Sequence, residues 1–456
     1  MKVVNPATER VIKNINADDH HSVEEKYQLA VQAQQSFARM DIQERLEIVK
    51  NFSALLLKQE TKLAGLLTSE MGKPITQARG EIKGARSRIV YFLENSQRIL
   101  SDEVVLDHED IREVIVHDPL GVIANISAWN YPYLIGVNVF IPALIAGNAV
   151  LYKPSEYTVL TGLELQKLWL QSGLKQGLFQ TVSGGGEVGE MLLELPLDGY
   201  FFTGSHVTGK SIYQKVAKKM VPCQMELGGK DPLYVTAKNH NLGQVASAVV
   251  EGVFYNNGQS CCAVERIYVH KDVYHDFINV FVKEVKQMKM GDPINEEVFI
   301  GPLARKEQVE YLQHQVDDAV ANGGKVLSGG KAETRQGYYF QPTVIINTSH
   351  EMKIMIEESF GPIIGIQMVD DDQEAIGLMK DTEYGLAASV FSDDQQQALN
   401  IMNEMDTGTV YWNCSDRVSP RLPWSGRKQS GIGVTLSEAG IRTFTKSKAY
   451  HMRSKT

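Results

Sequence analysis

The sequence predicts an α/β protein with parallel sheets, and this prediction depends on two runs in which strands and helices alternate. The first run lies between Gly121 and Leu227, and the second extends from residue 265 to residue 412. Parallel strands joined by helices form a sheet that helices cover on both faces, so each run predicts one such sheet. The length of 456 residues agrees, since it exceeds one ordinary core and predicts two or three domains.

The elements of both runs are delimited by changes in apolar periodicity. The first run has strands at 122–127, 149–152, 179–183, 199–203 and 222–227, and helices at 132–146, 160–172, 187–193 and 207–218. The second run predicts a second α/β domain that begins near Gly229. After a helix from Leu242 to Val253, it has strands at 265–270, 325–328, 363–368, 387–391 and 409–412, and helices at 272–288, 305–322, 372–380 and 394–404.

The chain before the first run predicts a β-hairpin over residues 3–16 and then four helices. Ser22 and Glu25 have the spacing of a capping box, which would begin the first of these helices at Ser22. The last helix is expected to end near Leu100. The alternation over Ile111–His117 then predicts a strand at an edge that leaves the body of the domain.

The composition excludes several classes of protein. A formal net charge of -9 gives no electrostatic footprint for nucleic acid or for an anionic membrane surface. Four sparse cysteines, two of them adjacent, predict free thiols in a reducing compartment. The start of the chain lacks the apolar core of a signal peptide, and the most apolar long stretch, Tyr133–Leu151, is interrupted by Asn, Pro and Gly. A cytoplasmic protein is expected. No H-E-x-x-H or C-x-x-C pattern occurs, so no metal site is expected.

Polar or glycine-rich segments follow the strands of the first run, at the edge where parallel sheets bind ligands. These segments are Ala128-Trp129-Asn130, Lys153-Pro154-Ser155-Glu156, Gly184-Gly185-Gly186 and Thr203-Gly204-Ser205. Thr203-Gly204-Ser205 precedes a helix whose free N–H groups could bind a phosphate, and an ordinary tight turn is the alternative. Glu156 could hold ribose hydroxyls or simply stabilise a helix N-terminus, and Lys153 could contact the same ribose or be a surface charge.

Two further segments carry groups for covalent catalysis. Asn256 to Cys262 offers a thiol in a turn between a helix and a strand, and Glu226 stands where an apolar strand ends at paired glycines. A thiolate can attack a carbonyl carbon, and a carboxylate can later take a proton from water. Asn130 could donate to the oxyanion that forms, or cap the helix that starts at Pro132. A buried inert thiol and a surface carboxylate are the alternative, and either Cys261 or Cys262 could be the nucleophile.

A series of motifs now makes the chain recognisable. They are Trp129-Asn130-Tyr131-Pro132, Lys153-Pro154-Ser155-Glu156, Phe202-Thr203-Gly204-Ser205 with Gly209, Glu226-Leu227-Gly228-Gly229-Lys230, Gly258-Gln259-Ser260-Cys261, Glu357-Glu358-Ser359-Phe360-Gly361-Pro362 and Lys428-Gln429-Ser430-Gly431-Ile432-Gly433. The order and spacing of these motifs resemble those of the aldehyde dehydrogenase superfamily. The resemblance is to its non-acylating, NAD(P)-dependent branch and covers essentially the full length of the chain. Within that branch, a succinate-semialdehyde-dehydrogenase-like member is one expectation.

The resemblance implies an aldehyde-dehydrogenase-like α/β fold with three parts. A Rossmann-type NAD(P)-binding domain would comprise residues 1–100 and 120–228, and a catalytic domain residues 229–430. A small β oligomerisation arm would comprise residues 101–119 and 431–456 and would pair across the subunits of a homodimer or homotetramer.

The resemblance also implies the roles of the site residues. Cys261 would be the nucleophile, Glu226 the general base and Asn130 the oxyanion donor. Cys261 would add to the aldehyde, hydride would pass to the nicotinamide, Glu226 would activate water, and the thioester would be hydrolysed to the free acid. The implied cofactor residues are Ser127, Trp129, Lys153, Ser155, Glu156, Gly186, Thr203, Gly204, Ser205, Leu227, Glu358 and Phe360. Because Glu156 would repel a 2′-phosphate, NAD is expected in preference to NADP, which remains possible.

The chain departs from the family pattern at two places. Val139 stands where many relatives have a Lys that is thought to assist a proton relay, and Glu438 is a candidate for the remaining part of that relay. Pro423-Trp424-Ser425-Gly426 replaces the family's Pro-Phe-Gly-Gly. Trp424 would keep an aromatic wall at the aldehyde site, and a core Trp is the alternative.

The substrate is expected to be a small aliphatic aldehyde or a semialdehyde such as succinic semialdehyde. Tyr133, Trp412, Trp424 and Phe360 predict an apolar tunnel. Arg417 and Arg421 lie in the loop that usually shapes the substrate entrance, where either could pair with a semialdehyde carboxylate, and surface ion pairs are the alternative. A catalytically idle structural or binding member, or a Cys-dependent esterase, is the rival to an active dehydrogenase. The complete set of Cys261, Glu226 and Asn130 favours the dehydrogenase.

Overall fold

The computed structural model describes residues 1–454. The N-terminal part comprises β1 (Lys2–Val4), β2 (Val11–Asn14), α1 (His20–Phe37), α2 (Ile42–Lys58), α3 (Glu60–Met71) and α4 (Ile75–Leu100). β1 and β2 pair antiparallel, which confirms the predicted hairpin, and the four predicted helices are present. The predicted start of α1 is wrong. The cap is Asp19, whose side chain accepts from the backbone N–H of Ser22 at 2.8 Å, so Ser22 is the third residue of the capping box.

A long hairpin follows these helices, with β3 (Glu103–His108) and β4 (Ile111–Pro119). β4 pairs antiparallel both with β3 and with a strand near the end of the described chain, Thr445–Arg453. The strand predicted at 111–117 is therefore the centre of a three-stranded sheet and not an edge, because the distant C-terminal segment covers its second side.

The first alternating run supplies the five predicted strands to a sheet of six. Its elements are β5 (Val122–Ile126), α5 (Pro132–Ala146), β6 (Ala149–Lys153), α6 (Val159–Gln171), β7 (Phe179–Thr181), α7 (Gly186–Glu194), β8 (Gly199–Thr203), α8 (His206–Val216) and β9 (Cys223–Glu226). Strands β5 to β9 pair in parallel, so the loops that follow them meet at one edge. α5 is apolar around nearly its whole circumference and is buried, which anchors the loop after β5 to the interior.

The second run forms a seven-stranded sheet that is parallel except at one end. Its first elements are β10 (Asp231–Val235), α9 (Leu242–Phe254), β11 (Val264–His270), α10 (Lys271–Gln287), α11 (Lys306–Ala321), β12 (Lys325–Ser328), β13 (Thr343–Ile346), α12 (Lys353–Ile356) and β14 (Ile363–Val369). They are followed by α13 (Asp372–Lys380), β15 (Tyr384–Gly385), β16 (Ala387–Phe391), α14 (Gln395–Asn403) and β17 (Thr409–Trp412). The sheet order is β12-β13-β14-β11-β10-β16-β17. The strand alternation was predicted, but β10 and β13 were not.

The C-terminal segment joins the six-stranded and the three-stranded sheet, and its first strand pairs antiparallel with β15. It contains β18 (Arg427–Lys428), β19 (Gly431–Ile432), α15 (Ser437–Arg442) and β20 (Thr445–Arg453). β19 pairs antiparallel with β9 and so extends the six-stranded sheet, α15 packs on α4, and β20 joins β4. Within the arm segment expected at 431–456, the described residues that join the three-stranded sheet are those of β20. Residues 455–456 lie outside the described residues.

The fold therefore brings the C-terminal ends of β5, β6, β8 and β9 close to the start of β10, where the chain passes from one sheet to the other. Within residues 1–454, no helix combines the length and the apolar character that crossing a membrane requires.

Candidate active site

A sharp turn after α9 holds Cys261 between the two sheets. Asn256, Asn257 and Gly258 all have left-handed backbone angles, with φ of 54°, 58° and 69°. A Cβ atom on Gly258 would lie 2.3 Å from the carbonyl oxygen of Gly361, so the close approach of these two loops requires glycine. Left-handed conformations of this kind are costly and persist where the surrounding structure determines them.

Amide side chains fix this turn. Asn257 donates from Nδ2 to the carbonyl oxygen of Pro302 at 2.8 Å, and its Oδ1 accepts from the backbone N–H of Gly301 at 2.8 Å. Gln259 accepts from the backbone N–H of Ala304 at 3.0 Å. All these donors and acceptors are buried, so the turn is rigid and Cys261 has a defined position.

Asn130 is bound to the same turn. Its Nδ2 donates to the carbonyl oxygen of Gln259 at 3.1 Å, two residues before Cys261. Its own carbonyl oxygen accepts from Asn256 Nδ2 at 3.2 Å. The N-cap of α5 is Tyr131, without a side-chain cap, so the alternative that Asn130 caps this helix is not what the structure has.

A buried ion pair of Lys73 and Glu81, which was not predicted from the sequence, holds the other side of the Asn130 loop. Lys73 Nζ donates to the carbonyl oxygen of Asn130 at 2.7 Å and lies 3.8 Å above the ring of Tyr131. Glu81 accepts from the backbone N–H of Tyr133 at 2.8 Å and thereby caps α5 from a neighbouring helix. Burial lowers the pKa of Lys73, while the charge of Glu81 opposes that shift.

Glu226 ends β9 as a buried carboxyl group. Oε1 accepts from Gln224 Nε2 and from Thr435 Oγ1, both at 3.1 Å, whereas buried Oε2 has no protein partner among the described residues. Burial raises the pKa of Glu226 to about 8, and the two hydrogen bonds oppose this shift. The alternative of a surface ion-pairing Glu is therefore excluded by its position.

Glu358 and Phe360 lie on a loop that packs against the glycines after Glu226. Glu358 accepts from the backbone N–H of Gly229 at 3.1 Å, and a Cβ atom on Gly228 would lie 2.2 Å from Glu358 Oε1. Burial, with the nearby charge of Glu265, raises the pKa of Glu358 to about 8. Phe360 has a left-handed backbone (φ 48°), and its ring lies 5.5 Å from that of Trp129 in an edge-to-face arrangement.

A second buried ion pair holds this loop in place. Lys230 Nζ lies 2.7 Å from the Glu265 carboxylate and donates to Ser359 Oγ at 3.0 Å. The same carboxylate accepts from the backbone N–H groups of Ser359 at 2.8 Å and Phe360 at 2.9 Å. Lys230 lies in the motif Glu226-Leu227-Gly228-Gly229-Lys230, but the motif alone did not predict this ion pair.

A cavity of about 1110 Å³ connects these groups. Cys261, Asn130 and Glu226 line it, so the structure brings the three predicted catalytic side chains to one space. Of the predicted cofactor residues, those that line it are Trp129, Thr203, Gly204, Ser205, Leu227, Glu358 and Phe360. Those that do not are Ser127, Lys153, Ser155, Glu156 and Gly186.

The predicted cofactor residues outside this cavity cluster after β5, β6 and β7. Lys153 is buried and donates to the Pro154 carbonyl oxygen at 3.3 Å, and burial lowers its pKa. Ser155 donates to Glu156 at 3.2 Å. The hydroxyl of Ser127 is buried without a protein partner among residues 1–454. The buried ammonium and this hydroxyl are groups that a polar ligand could bind.

A second cavity, of about 590 Å³, also reaches Cys261. It lies between α4, α5, α9 and the loop at 413–420, and Trp424 lines it. Cys262 lines this cavity but not the larger one, is buried, and donates from Sγ to Asp416 Oδ1 at 2.8 Å. Cys261 is half-buried and lines both cavities, and this position favours Cys261 over Cys262 as the reactive thiol.

Several predicted substrate residues are elsewhere. Tyr133 was wrongly expected in the tunnel. It is fully buried in the core, and its hydroxyl donates to the carbonyl oxygen of Leu63 at 3.1 Å. Trp412 and Arg421 are also not among the residues that line either cavity, and Trp412 donates from Nε1 to Ser392 at 2.9 Å. Since α5 is buried on all sides, its sequence could not show which residues face the cavity.

Three other predicted positions are found as follows. Arg417 lines the smaller cavity but lies in an exposed ion pair with Glu251 at 3.4 Å, as the surface alternative predicted. Glu438 pairs with Arg98 on the surface and lines neither cavity. Val139 is buried in α5.

Comparison with known proteins agrees with this architecture. The sequence profile of the aldehyde dehydrogenase family matches residues 1–450. The chain is 32% identical over 457 aligned residues to 3,6-anhydro-alpha-L-galactose dehydrogenase from Vibrio sp. (strain EJY3), covering 99% of this chain and 95% of that protein. It is 31% identical to a succinate-semialdehyde dehydrogenase [NADP(+)] from Deinococcus radiodurans, covering 98% and 93%.

The solved structures agree as well. A betaine aldehyde dehydrogenase from Staphylococcus aureus in complex with NAD+ superposes with a TM-score of 0.95 at 29% identity, covering 100% of this chain and 94% of that chain. The protein therefore belongs to the aldehyde dehydrogenase family, an α/β family of enzymes that oxidise aldehydes with NAD or NADP.

The buried ion pair gives the first testable prediction. Glu81→Gln is expected to lower the free energy of unfolding by about 3–5 kcal/mol, because the Lys73 ammonium would remain buried without a counter-charge. The double variant Lys73→Met, Glu81→Gln removes both charges and should regain most of that loss. Urea-unfolding midpoints measure both effects.

The control for this prediction is Glu47→Gln, which makes the same change in the exposed ion pair with Lys50 and should leave the midpoint unchanged. A Glu81→Gln variant as stable as Glu47→Gln would contradict the proposed cost of leaving Lys73 unpaired.

Proposed function

We propose that this enzyme oxidises an aldehyde to the free carboxylic acid with Cys261 as the nucleophile. The observation that supports this most directly is that Cys261 lies where the two cavities meet. The larger cavity has the polar groups and the space for a dinucleotide, and the smaller one has the size of a small-molecule site. An aldehyde in the smaller cavity would therefore have its carbonyl carbon between the thiol and the cofactor.

The first step is addition of the Cys261 sulfur to the carbonyl carbon, which moves an electron pair onto the carbonyl oxygen. Asn130 is oriented to stabilise that charge, because its amide has two N–H donors and the bond to Gln259 uses one of them. The backbone N–H of Cys261 is the proposed second donor. Since Lys73 and Asn256 fix the Asn130 carbonyl, these donors are preorganised.

The residues of the larger cavity, together with the polar groups after β6 outside it, fit a nicotinamide dinucleotide. We propose that the N-terminus of α8, with Ser205, binds the diphosphate, and that Lys153 and Glu156 hold the adenosine ribose. Glu358 and Phe360 would hold the nicotinamide ribose and ring, and Trp129 would line the cleft. When bound, NAD(P) supplies the acceptor for the hydride that leaves the substrate carbon.

Glu226 is the proposed general base for hydrolysis of the thioester. Its Oε2 has no protein partner among the described residues, so this oxygen is free to accept a proton from water. A buried carboxyl with a pKa of about 8 is a stronger base than an exposed one. Glu438 is bound to Arg98 at the surface, so its position does not support a relay from Glu226.

The proposed substrate is a small aliphatic aldehyde or a semialdehyde, and the relatives do not decide between them. Their names include a sugar dehydrogenase, a succinate-semialdehyde dehydrogenase and a betaine aldehyde dehydrogenase, whose substrates are neutral, anionic and cationic. The ion pair of Arg417 with Glu251 and the position of Arg421 outside the cavity do not support the two loop arginines as the carboxylate site.

We also propose a homodimer or homotetramer, with the three-stranded sheet as the pairing arm. β3 is an edge strand of that sheet, and Val104, Val105 and Leu106 on it are 50%, 55% and 40% exposed. An apolar edge with unpaired backbone groups favours pairing with another chain.

The central experiment compares wild type, Cys261→Ala and Glu226→Gln for NADH formation with a panel of aldehydes. Cys261→Ala should form no NADH, because no covalent adduct can form. Glu226→Gln should release a burst of about one NADH per site and then turn over slowly, because the proposed base acts after hydride transfer. Cys262→Ser is the matched control and should stay active. Steady turnover by Cys261→Ala would refute the mechanism.

The pKa of Glu226 predicts the pH dependence of hydrolysis. The carboxylic acid form cannot accept a proton, so deacylation should rise as the pH increases through about 8. Thr435→Val removes a hydrogen bond that lowers this pKa, so the midpoint should move to higher pH. The pH midpoint of deacylation is measured from the hydrolysis of a p-nitrophenyl ester without cofactor. A midpoint that is the same in Thr435→Val and wild type would argue against Glu226 as the base.

Cofactor preference provides a separate prediction. If the Glu156 carboxylate excludes a 2′-phosphate, the wild type should prefer NAD, and Glu156→Gln should reduce the NAD-to-NADP ratio of kcat/KM about tenfold. Glu194→Gln changes an exposed acid at the far end of α7 and should leave the ratio unchanged. Preference of the wild type for NADP would contradict the assignment.

A further inference from the structure

The smaller cavity contains a buried arginine that the proposed chemistry does not use. Arg88 lies on α4, is 8% exposed and lines the cavity. Its Nη1 donates to Asn138 Oδ1 at 2.9 Å and to the carbonyl oxygen of Leu134 at 3.2 Å. These two bonds orient the planar guanidinium, while Nε and Nη2 donate to no group within residues 1–454.

Arg88 is unusual because it has no ionic partner. No carboxylate oxygen of the described chain lies within 4.0 Å of its guanidinium. The other charged groups near Cys261 are already engaged, since Asp416 accepts from Cys262 and Arg417 pairs with Glu251. Arginine is rarely buried without a counter-ion, because an unpaired charge in the interior loses its hydration.

The electrostatic surroundings keep Arg88 cationic. Burial lowers the pKa of Arg88 to about 10, and the nearby acidic groups, among them Glu81 and Asp416, oppose that shift. Across the cavity, burial raises the pKa of Asp416 to about 6. At neutral pH Arg88 is therefore protonated, and its free donors face a cavity that also contains Cys261.

We propose that Arg88 binds the carboxylate of the substrate, which makes the substrate class an aldehyde that carries a carboxylate at its other end. This inference rests on the proposed function of Cys261. A planar guanidinium suits a carboxylate because two of its N–H groups can donate to both oxygens. With its carboxylate at Arg88, the substrate would extend along the cavity and present its aldehyde carbon to Cys261.

The position also argues for Arg88 over the arginines expected from the sequence. Arg417 and Arg421 lie on an exposed loop, where solvent screens their charges and a carboxylate gains little. Arg88 is desolvated, so its charge discriminates more strongly between an anionic aldehyde and a neutral one.

The test measures kcat/KM for succinic semialdehyde, butanal and 4-aminobutanal with wild type, Arg88→Met and Arg88→Lys. Wild type should prefer the anion to the neutral aldehyde and the neutral aldehyde to the cation. Arg88→Met should lose about a hundredfold with succinic semialdehyde and change little with butanal. Arg88→Lys keeps the positive charge but loses the planar pair of N–H donors. Its kcat/KM for succinic semialdehyde should lie between those of wild type and Arg88→Met. If Arg88→Met does not fold, the proposal is tested by the ratio of kcat/KM for succinic semialdehyde to that for butanal in Arg88→Lys, which should be lower than in wild type.

Two further variants sharpen the comparison. Arg79→Met removes an arginine of the same helix that forms a surface ion pair with Glu296 at 2.7 Å, and should change no ratio. Arg417→Met should also leave the semialdehyde-to-butanal ratio unchanged. A selective loss of kcat/KM for succinic semialdehyde in Arg417→Met, with none in Arg88→Met, would overturn the proposal. An equal loss of kcat/KM for succinic semialdehyde and butanal in Arg88→Met would also overturn it, because it would indicate an effect on the thiol or on packing.

A readout without turnover separates this proposal from the proposed function. Succinate, which has no aldehyde, should protect Cys261 from alkylation by iodoacetamide in wild type but not in Arg88→Met. Protection that depends on Arg88, combined with no oxidation of any aldehyde, would support the carboxylate site and refute the proposed reaction. Oxidation of aldehydes without protection, and without preference for the anion, would refute the carboxylate site alone.

Discussion

The buried ion pair of Lys73 and Glu81 is the interaction on which the geometry at Cys261 depends. The Lys73 ammonium donates to the carbonyl oxygen of Asn130, and the Glu81 carboxylate caps α5. Helix α4 and the residues just before it therefore determine where the loop after β5 lies. That loop then bonds to the turn before Cys261 through Asn130 and Gln259. A buried pair is weak evidence for stability, because desolvation offsets its attraction. The role of this pair is to fix the position of the loop that carries Asn130.

The second sheet contributes through a similar arrangement. The Lys230–Glu265 pair holds the loop that carries Glu358 and Phe360, and glycines at the crossing allow this loop to approach the end of β9. The two ion pairs thus fix opposite walls of one cleft, and the thiol lies between them. Because the donors and acceptors are buried and mutually bonded, little reorganisation is required when a substrate binds.

Much of the fold was predictable, because strand and helix alternation is a property of local sequence. β10 was not predicted because Pro232 and the paired glycines before it are unusual in a central strand. In the structure a register shift at Asp231 accommodates the proline. The catalytic candidates came from motifs, whereas Tyr133 was misplaced because α5 is apolar on every face. The burial of Arg88 could have been predicted from helical spacing, because it lies three residues after Ala85 and four before Phe92, on the buried stripe of α4.

The charges around Cys261 are distributed unequally between the two cavities. On the cofactor side, Glu226 and Glu358 are buried acids whose pKa values are raised to about 8, and on the other side Arg88 is a buried cation. On the proposed function, a substrate carboxylate would bind at the Arg88 end, so the aldehyde end would approach the thiol. In the proposed hydrolysis Glu226 would accept a proton from water and become neutral, a change that burial of this carboxyl group favours. This asymmetry would place the cation at the carboxylate of the substrate and the base at the thioester.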